Sequence, residues 1–240
     1  MFAYVQQMLR IDDHFVCIHC GEPTQELYKK YSASVLKLKT CDSCNKIADK
    51  YIEYDPVIII IDLVLLNREA YRHVLYNTGF SIHWKLLMVL LLMETYSEWV
   101  VKFPPDYKTP VVLHSYFTAD FSYYKTFLKV ASRAASFFVV ILILTVIYNL
   151  WTKKKNFKEL FFDVWKCTIL SSFGIFLLLP SLIWNIDVVH DYHHIFVSLY
   201  TTLSQLVAYT VTCDCHKLWS IFVILTSYYF KIVHFDFVNA

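Results

Sequence analysis

Four cysteines in two pairs carry the clearest chemistry in the chain. Cys17-Ile-His-Cys20 and Cys41-Asp-Ser-Cys44 are two Cys-x-x-Cys hooks with twenty residues between them. That is the sequence form of a four-thiolate zinc site. Zn²⁺ accepts a tetrahedron of ligands, and a two-residue spacer lets both sulfurs of a hook turn back onto one ion. Four thiolates leave no open position for a substrate. The expected role of Cys17, Cys20, Cys41 and Cys44 is therefore to hold one structural Zn²⁺. Thiolates that hold a metal must stay reduced, which places this head in the cytosol.

Other constellations suggest chemistry and fall short of it. His190-Asp-Tyr-His193-His194 has the form of one histidine box of membrane di-iron oxygenases. Such a centre needs several boxes, and the remaining histidines, of ten in all, are scattered. An interfacial turn is the expected role. Cys213-Asp-Cys215-His216 between two apolar runs reads as incidental rather than as a metal hook. There is no Gly-x-Ser-x-Gly elbow and no His-Glu-x-x-His helix. Three glycines, Gly21, Gly79 and Gly174, cannot build a phosphate-cradling loop or a dinucleotide turn. Asp62 and Glu94 are acids within apolar stretches; such groups are functional candidates, with salt-bridged packing as the competing role. No enzymatic activity is expected.

The composition says what these residues are mounted on. The 240 residues are 57% hydrophobic and 18% aromatic, with a mean hydropathy of +0.44. Long apolar runs at that level argue for a membrane protein rather than a soluble globule. A net charge of +2 is too small to imply a nucleic-acid partner. Met1 to Asp13 lacks a basic segment followed by an apolar core, so the first strong helix is expected to direct insertion.

The hooks belong to a head over residues 1–54. Leu36 and Leu38 alternate with Lys37 and Lys39, the pattern of a half-buried strand in a zinc ribbon. With so little core, such a head takes most of its folding energy from the metal. Asp55-Pro56 starts a helix, expected as one amphipathic piece to Leu75 and reaching residue 80 with its flank. Asp62, Glu69, Arg72 and His73 mark its polar side; Ile60, Val64, Tyr71 and Val74 mark the other. It either packs on the zinc head or lies in the membrane interface.

Residues 81–240 form the membrane domain. Its expected spans are 134–151, 164–184, 195–212 and 218–233, with 82–101 undecided. In the undecided run, nine Leu, Ile and Val residues favour insertion by roughly 3–5 kcal/mol, while Glu94 costs about 2.5–3.5 kcal/mol. All six tryptophans fall at the ends of apolar segments, where indoles collect at membrane interfaces. Lys153-Lys154-Lys155 should face the cytosol and the turn at Asp187 to His194 the opposite side. The basic stretch 102–133 is then a loop on the far side, against the charge rule, and is expected to lie along the surface. The fold class is mostly α: a multispanning helical membrane protein with a small four-cysteine zinc-ribbon-like β head.

Several of these residues together resemble a known family. Cys17-Ile-His-Cys20-Gly21, Leu27-Tyr28, Tyr31, Lys37-Leu38 and Cys41-x-x-Cys44 are followed by Ala48-Asp-Lys-Tyr-Ile-Glu-Tyr-Asp-Pro56 and Ala70-Tyr-Arg-His-Val-Leu-Tyr-Asn77. Over about residues 14–80 this is similar to the homology domain of the ARV proteins. Gly174 through Pro180 and Trp184 look similar too, while the other spans match only in kind. The resemblance implies a multispanning protein of the endoplasmic reticulum, with the Golgi as a second site, that serves lipid homeostasis. It implies sterol movement and sphingolipid balance, with membrane lipids as partners. It also offers an alternative: an accessory subunit for enzymes of early glycosylphosphatidylinositol (GPI)-anchor synthesis. Carried over, the four cysteines are the zinc ligands, while Asp49, Tyr51, Glu53, Asp62, Tyr71, Arg72, His73 and Asn77 match the motif with no assigned role.

Overall fold

The computed structural model describes residues 15–31, 36–79, 82–102, 113–152, 156–179, 190–213 and 215–239. The head is two small antiparallel ribbons. Strand β1 (Phe15–Val16) pairs with β2 (Pro23–Thr24), and β3 (Tyr28–Lys30) with β4 (Leu36–Leu38). Leu36 and Leu38 turn inward onto Leu27, Ala48 and Ile52, as the alternation requires, while Lys37 stays outside. Three buried side chains of that size cannot hold a domain together without a staple.

Asp55 takes the N-cap position of α1 (Pro56–Val64) with Pro at the first helical position, although its side chain makes no capping bond. The single helix expected to Leu75 is divided. Leu66 adopts a left-handed φ of 58°, and Asn67 caps a new helix by accepting the Glu69 N–H through Oδ1 at 3.1 Å. The cause is local: an Asn side chain satisfies an orphan N–H of the next helix and outcompetes continuation of the first. Helix α2 (Arg68–Arg72) then widens into a π turn, His73–Asn77.

The division separates two fates. Helix α1 buries only Leu63 and leaves Val57, Ile60, Ile61 and Leu65 open. The α2–π segment is sandwiched instead: its polar side meets the head, and Tyr71 and Tyr76 reach the opposite way.

The body consists of α3 (His83–Lys102), α4 (Leu113–Thr152), α5 (Phe157–Ser171) continuing as a 3₁₀ segment (Ser172–Leu177), α6 (His190–Cys213) and α7 (Lys217–Asn239). Among the described residues three helices are long and apolar enough to cross a membrane: Phe121–Thr152, Phe157–Leu177 and Ile195–Cys213. Helix α3, with Lys85, Glu94 and Glu98, and α7, which contains the expected run 218–233, are not among them.

The stretch 102–133 is not a surface loop: from Leu113 onward it is the first half of α4. No Pro or Gly interrupts the chain between Pro110 and Thr152, so a helix begun there has nothing to stop it. The apolar run alone marked only its second half. Likewise α5 begins at Phe157, seven residues before the expected span, and turns 3₁₀ at Ser172. Pro180, Trp184, Lys153 to Lys155 and residues 187–189 lie outside the described residues, while His190 to His194, expected as an interfacial turn, is the first turn of α6. One apolar core runs from the head (Ile18, Tyr51) through Tyr71 to Phe137, Val164, Tyr209 and Val223 of the body.

Candidate metal centre and buried cavity

Each hook folds the same way. The Gly21 N–H donates to the Cys17 carbonyl at 2.9 Å and the Asn45 N–H to the Cys41 carbonyl at 2.9 Å. The residue closing each knuckle is left-handed, Gly21 at φ 86° and Asn45 at φ 56°. Gly and Asn are the residues that tolerate that region most readily. The two knuckles face each other. Cys17 Sγ lies 3.8 Å from Cys44 Sγ and Cys20 Sγ 3.6 Å from Cys41 Sγ, and all four sulfurs lie within 4.8 Å of one another.

Thiolates about 2.3 Å from a tetrahedral ion stand about 3.8 Å apart, so the donor set fits a metal ion. Burial pushes the Cys17 thiol up to about 12 and raises that of Cys20. The backbone N–H groups of Cys44 and Ser43 bring Cys41 down to about 7. A cation supplies the charge that lets the buried thiols ionise. Among the described residues no second cluster of three or more such ligands comes together. His193 Nε2 bonds to the Leu177 carbonyl at 2.8 Å, a structural contact at the end of the 3₁₀ segment. Cys215 Sγ lies 3.2 Å from Ser220 Oγ.

Most of the motif residues form one layer behind the knuckles. Arg72 Nη1 donates to the carbonyls of Ile18 (3.0 Å) and His19 (2.6 Å), inside the first hook. A Cβ on Gly21 would come within 3.5 Å of the same guanidinium. Asp49 has no exposed surface and is the hub: its Oδ1 accepts the Tyr51 N–H at 2.9 Å. Its Oδ2 meets His73 Nδ1 at 2.7 Å and Asn77 Nδ2 at 2.6 Å. Asn77 in turn pairs with both backbone groups of Val16 at 2.9 Å. Tyr51 donates to Asp62 Oδ2 at 2.6 Å; burial first, and then this bond, raises its phenol.

Glu69 joins Lys50 (2.6 Å) and His19 (2.8 Å). Burial pushes its carboxyl up, but Lys50 and His19 outweigh that and hold it below the usual range. Glu53 is exposed and sits outside the layer. Tyr71 faces away and reaches Ser204 of α6 at 2.7 Å. Tyr76 donates to the Thr212 carbonyl at 3.0 Å and Tyr200 to the Val64 carbonyl at 2.8 Å. The four-cysteine head is thus bolted to a candidate span. His19, Lys50 and Ser204 complete these contacts; His19 and Lys50 lie inside the motif stretches, and Ser204 carried no sequence signal.

Behind this joint, α3 to α7 line a partly open cavity of about 400 Å³. Its walls are mostly apolar (Leu87, Phe138, Ile169, Val197), with Gln205 on one side and Glu94, Glu98 and Lys231 on another. Glu98 pairs with Arg133; Glu94 lies 3.9 Å from Arg133 and 3.6 Å from Lys231. Nothing in the sequence spacing brings these four together, because they come from three helices.

The chain matches the Arv1-like family over residues 16–208. It is 33% identical to human "Protein ARV1" over 231 residues, covering 92% of this chain and 83% of the relative. The mouse "Protein ARV1" is 36% identical over 214 residues, covering 88% and 78%. The "Protein arv1 homolog" of Dictyostelium discoideum is 29% identical over 235 residues, covering 91% and 92%. No solved structure matches. The matched region takes in both knuckles, the layer behind them and most of the helical body, and the chain belongs to the Arv1-like family.

Proposed function

We propose that this chain is a non-enzymatic, multipass protein of the endoplasmic-reticulum membrane that takes up a membrane lipid, sterol first, and redistributes it. The observation that carries this reading is the cavity. A volume of about 400 Å³ lies in the range of small-molecule sites, and apolar walls with a few convergent polar groups are what such sites are made of. Lipid homeostasis is the general role of the Arv1-like family, which is not a recognised enzyme family.

One zinc ion holds the head, in the cytosol where its thiols stay reduced. Helix α1 lies in the membrane interface, its open face of Val57, Ile60, Ile61 and Leu65 buried among acyl chains. The Tyr200–Val64 bond supports that placement, since it ties the end of α1 to a helix long enough to span. The test is photolabelling of purified protein with a diazirine sterol. The expected result is a saturable adduct mapped to the helices around the cavity; no adduct refutes the reading.

A second reading has its own observation. The β3–β4 ribbon turns Lys29, Lys30, Lys37 and Tyr31 outward, the last 68% exposed. That is a surface suited to a protein partner, such as an enzyme of GPI-anchor synthesis. Recovery of a stoichiometric enzyme from mild detergent, lost on charge reversal of these lysines, favours the scaffold. A lone, lipid-loaded chain favours the carrier.

A further inference from the structure

We infer that Gln205 reads a hydroxyl on the ligand, so that the cavity selects lipid alcohols over otherwise identical lipids without a free hydroxyl. This rests on the reading of the cavity as a lipid site.

Val197, Thr201 and Gln205 follow one another at four-residue steps on α6 and all line the cavity, so they form one stripe of that helix. Gln205 is 6% exposed, and its Oε1 has no hydrogen-bond partner. Its Nε2 makes one long contact, 3.5 Å to Ser172 Oγ. Turning the amide over changes which end is unmet, but one end stays unmet. Three hydroxyls that line the same cavity are already spent as donors. Thr168, Ser172 and Thr201 each donate to the carbonyl four residues earlier, at 2.8, 2.8 and 2.7 Å.

Position sharpens the point. Gln205 sits near the middle of the candidate span Ile195–Cys213, where hydrocarbon offers nothing to an amide. A buried polar group left unmet is costly and rare. Gly174 helps to place it: a Cβ there would fall 2.6 Å from Thr201 Oγ1 and 2.9 Å from the Tyr200 ring. The missing side chain lets α6 close on the 3₁₀ segment, which sets Gln205 beside Ser172. A ligand that brings one hydroxyl into an apolar space satisfies the amide. A ligand without one leaves it orphaned, and a site built this way discriminates mainly through that penalty.

Sterols and diacylglycerols share this chemistry, and matched pairs separate them. The full chain in phosphatidylcholine nanodiscs is titrated with tritiated cholesterol and 5-cholestene, its 3-deoxy analogue. A tritiated 1,2-diacylglycerol and its O-methyl ether form the second pair. The expected result is that at least one alcohol binds about ten-fold or more tighter than its partner. In Gln205→Leu that preference disappears, while affinity for the 3-deoxy or ether member is no weaker than in wild type, which certifies an intact cavity. Equal affinities within both pairs in wild type overturn the inference and leave the lipid reading standing, as does a preference that survives in Gln205→Leu. Should Gln205→Leu fail to fold, Gln205→Met, which keeps the length of the side chain and removes its amide, takes its place in the same comparison. No binding of any of the four overturns the lipid reading and this inference with it.

Discussion

Asp49→Asn tests the layer that joins the four-cysteine head to the body. The change keeps the shape of the side chain and removes one acceptor. In wild type, Oδ1 serves the Tyr51 N–H and Oδ2 serves both His73 Nδ1 and Asn77 Nδ2. With an amide in place, one end presents donors. If its NH₂ takes the Oδ2 position, it faces the donor of Asn77. Asn77 cannot turn over to receive it, because its Oδ1 and Nδ2 are matched to the N–H and carbonyl of Val16. Turning the introduced amide the other way sets NH₂ against the Tyr51 N–H. Every arrangement leaves a buried donor facing a donor, at about 1–3 kcal/mol, besides the lost charge assistance. A total of about 2–4 kcal/mol is expected. Read by hydrogen exchange over residues 68–77, that is a loss of protection of between about 30- and 700-fold if the segment opens at equilibrium. Metal retained after desalting should fall with it. Unchanged exchange and unchanged metal content in Asp49→Asn would falsify the hub.

Cys44→Ser should reduce bound metal from one ion per chain to a small fraction and expose the head to protease, since an incomplete thiolate set forfeits much of the metal's folding contribution; elemental analysis decides. Arg133→Leu strands Glu98 and crowds Glu94. A loss of about 2–4 kcal/mol is expected in detergent unfolding, with Arg133→Leu/Glu98→Leu recovering most of it; a neutral single variant sinks the argument. Glu69 has its folded pKa held down, so its contribution is present above the unfolded value of about 4.3 and lost as pH falls through the folded one. The advantage of wild type over Glu69→Gln, at most about 1 kcal/mol for a pair more than a quarter exposed, should be full at about pH 6–8 and vanish toward about pH 3. A difference that persists in acid contradicts this sign. Gly174→Ala forces a Cβ into Thr201 and the Tyr200 ring and should cost about 1–3 kcal/mol; wild-type thermal stability would show that α6 and the 3₁₀ segment are not in contact.

The head was the most legible part of the sequence, because metal geometry acts over four residues. Two Cys-x-x-Cys spacings announce the knuckles, and the Leu36–Leu38 alternation announces a strand. The helix after Pro56 was half legible. Its polar and apolar residues were real, but Asn67 is a capping signal inside an apolar pattern, and a period of hydrophobicity does not register a cap. The membrane helices were marked by their uncharged runs and missed beyond them. Residues 113–133 carry Lys125, Lys129 and Arg133 in a segment that is helical all the same. The cavity was not legible at all. Gln205 looks like any polar residue of a weak span until Ser172 and its neighbours are seen to be already bonded.

Glu94 shows why this limit is physical. Taken alone, the α3 segment gains from its nine aliphatic residues about what its central carboxylate costs, and no reading of residues 82–101 can break that tie. What the structure adds comes from elsewhere in the chain: partners for the carboxylate. Arg133 of α4 and Lys231 of α7 stand against Glu94, and Glu98 pairs with Arg133 through the same Nη2. Meanwhile Trp84, Met88, Val89, Leu92 and Tyr96 point away from the bundle and are open. The charges of α3 are thus paired inside the bundle while these apolar groups face outward. The energy that keeps α3 in place is therefore carried by α4 and α7, far later in the chain. Those same charges form part of the cavity wall that Gln205 also lines, so the groups that make the bundle tolerable to the membrane also shape the space inside it.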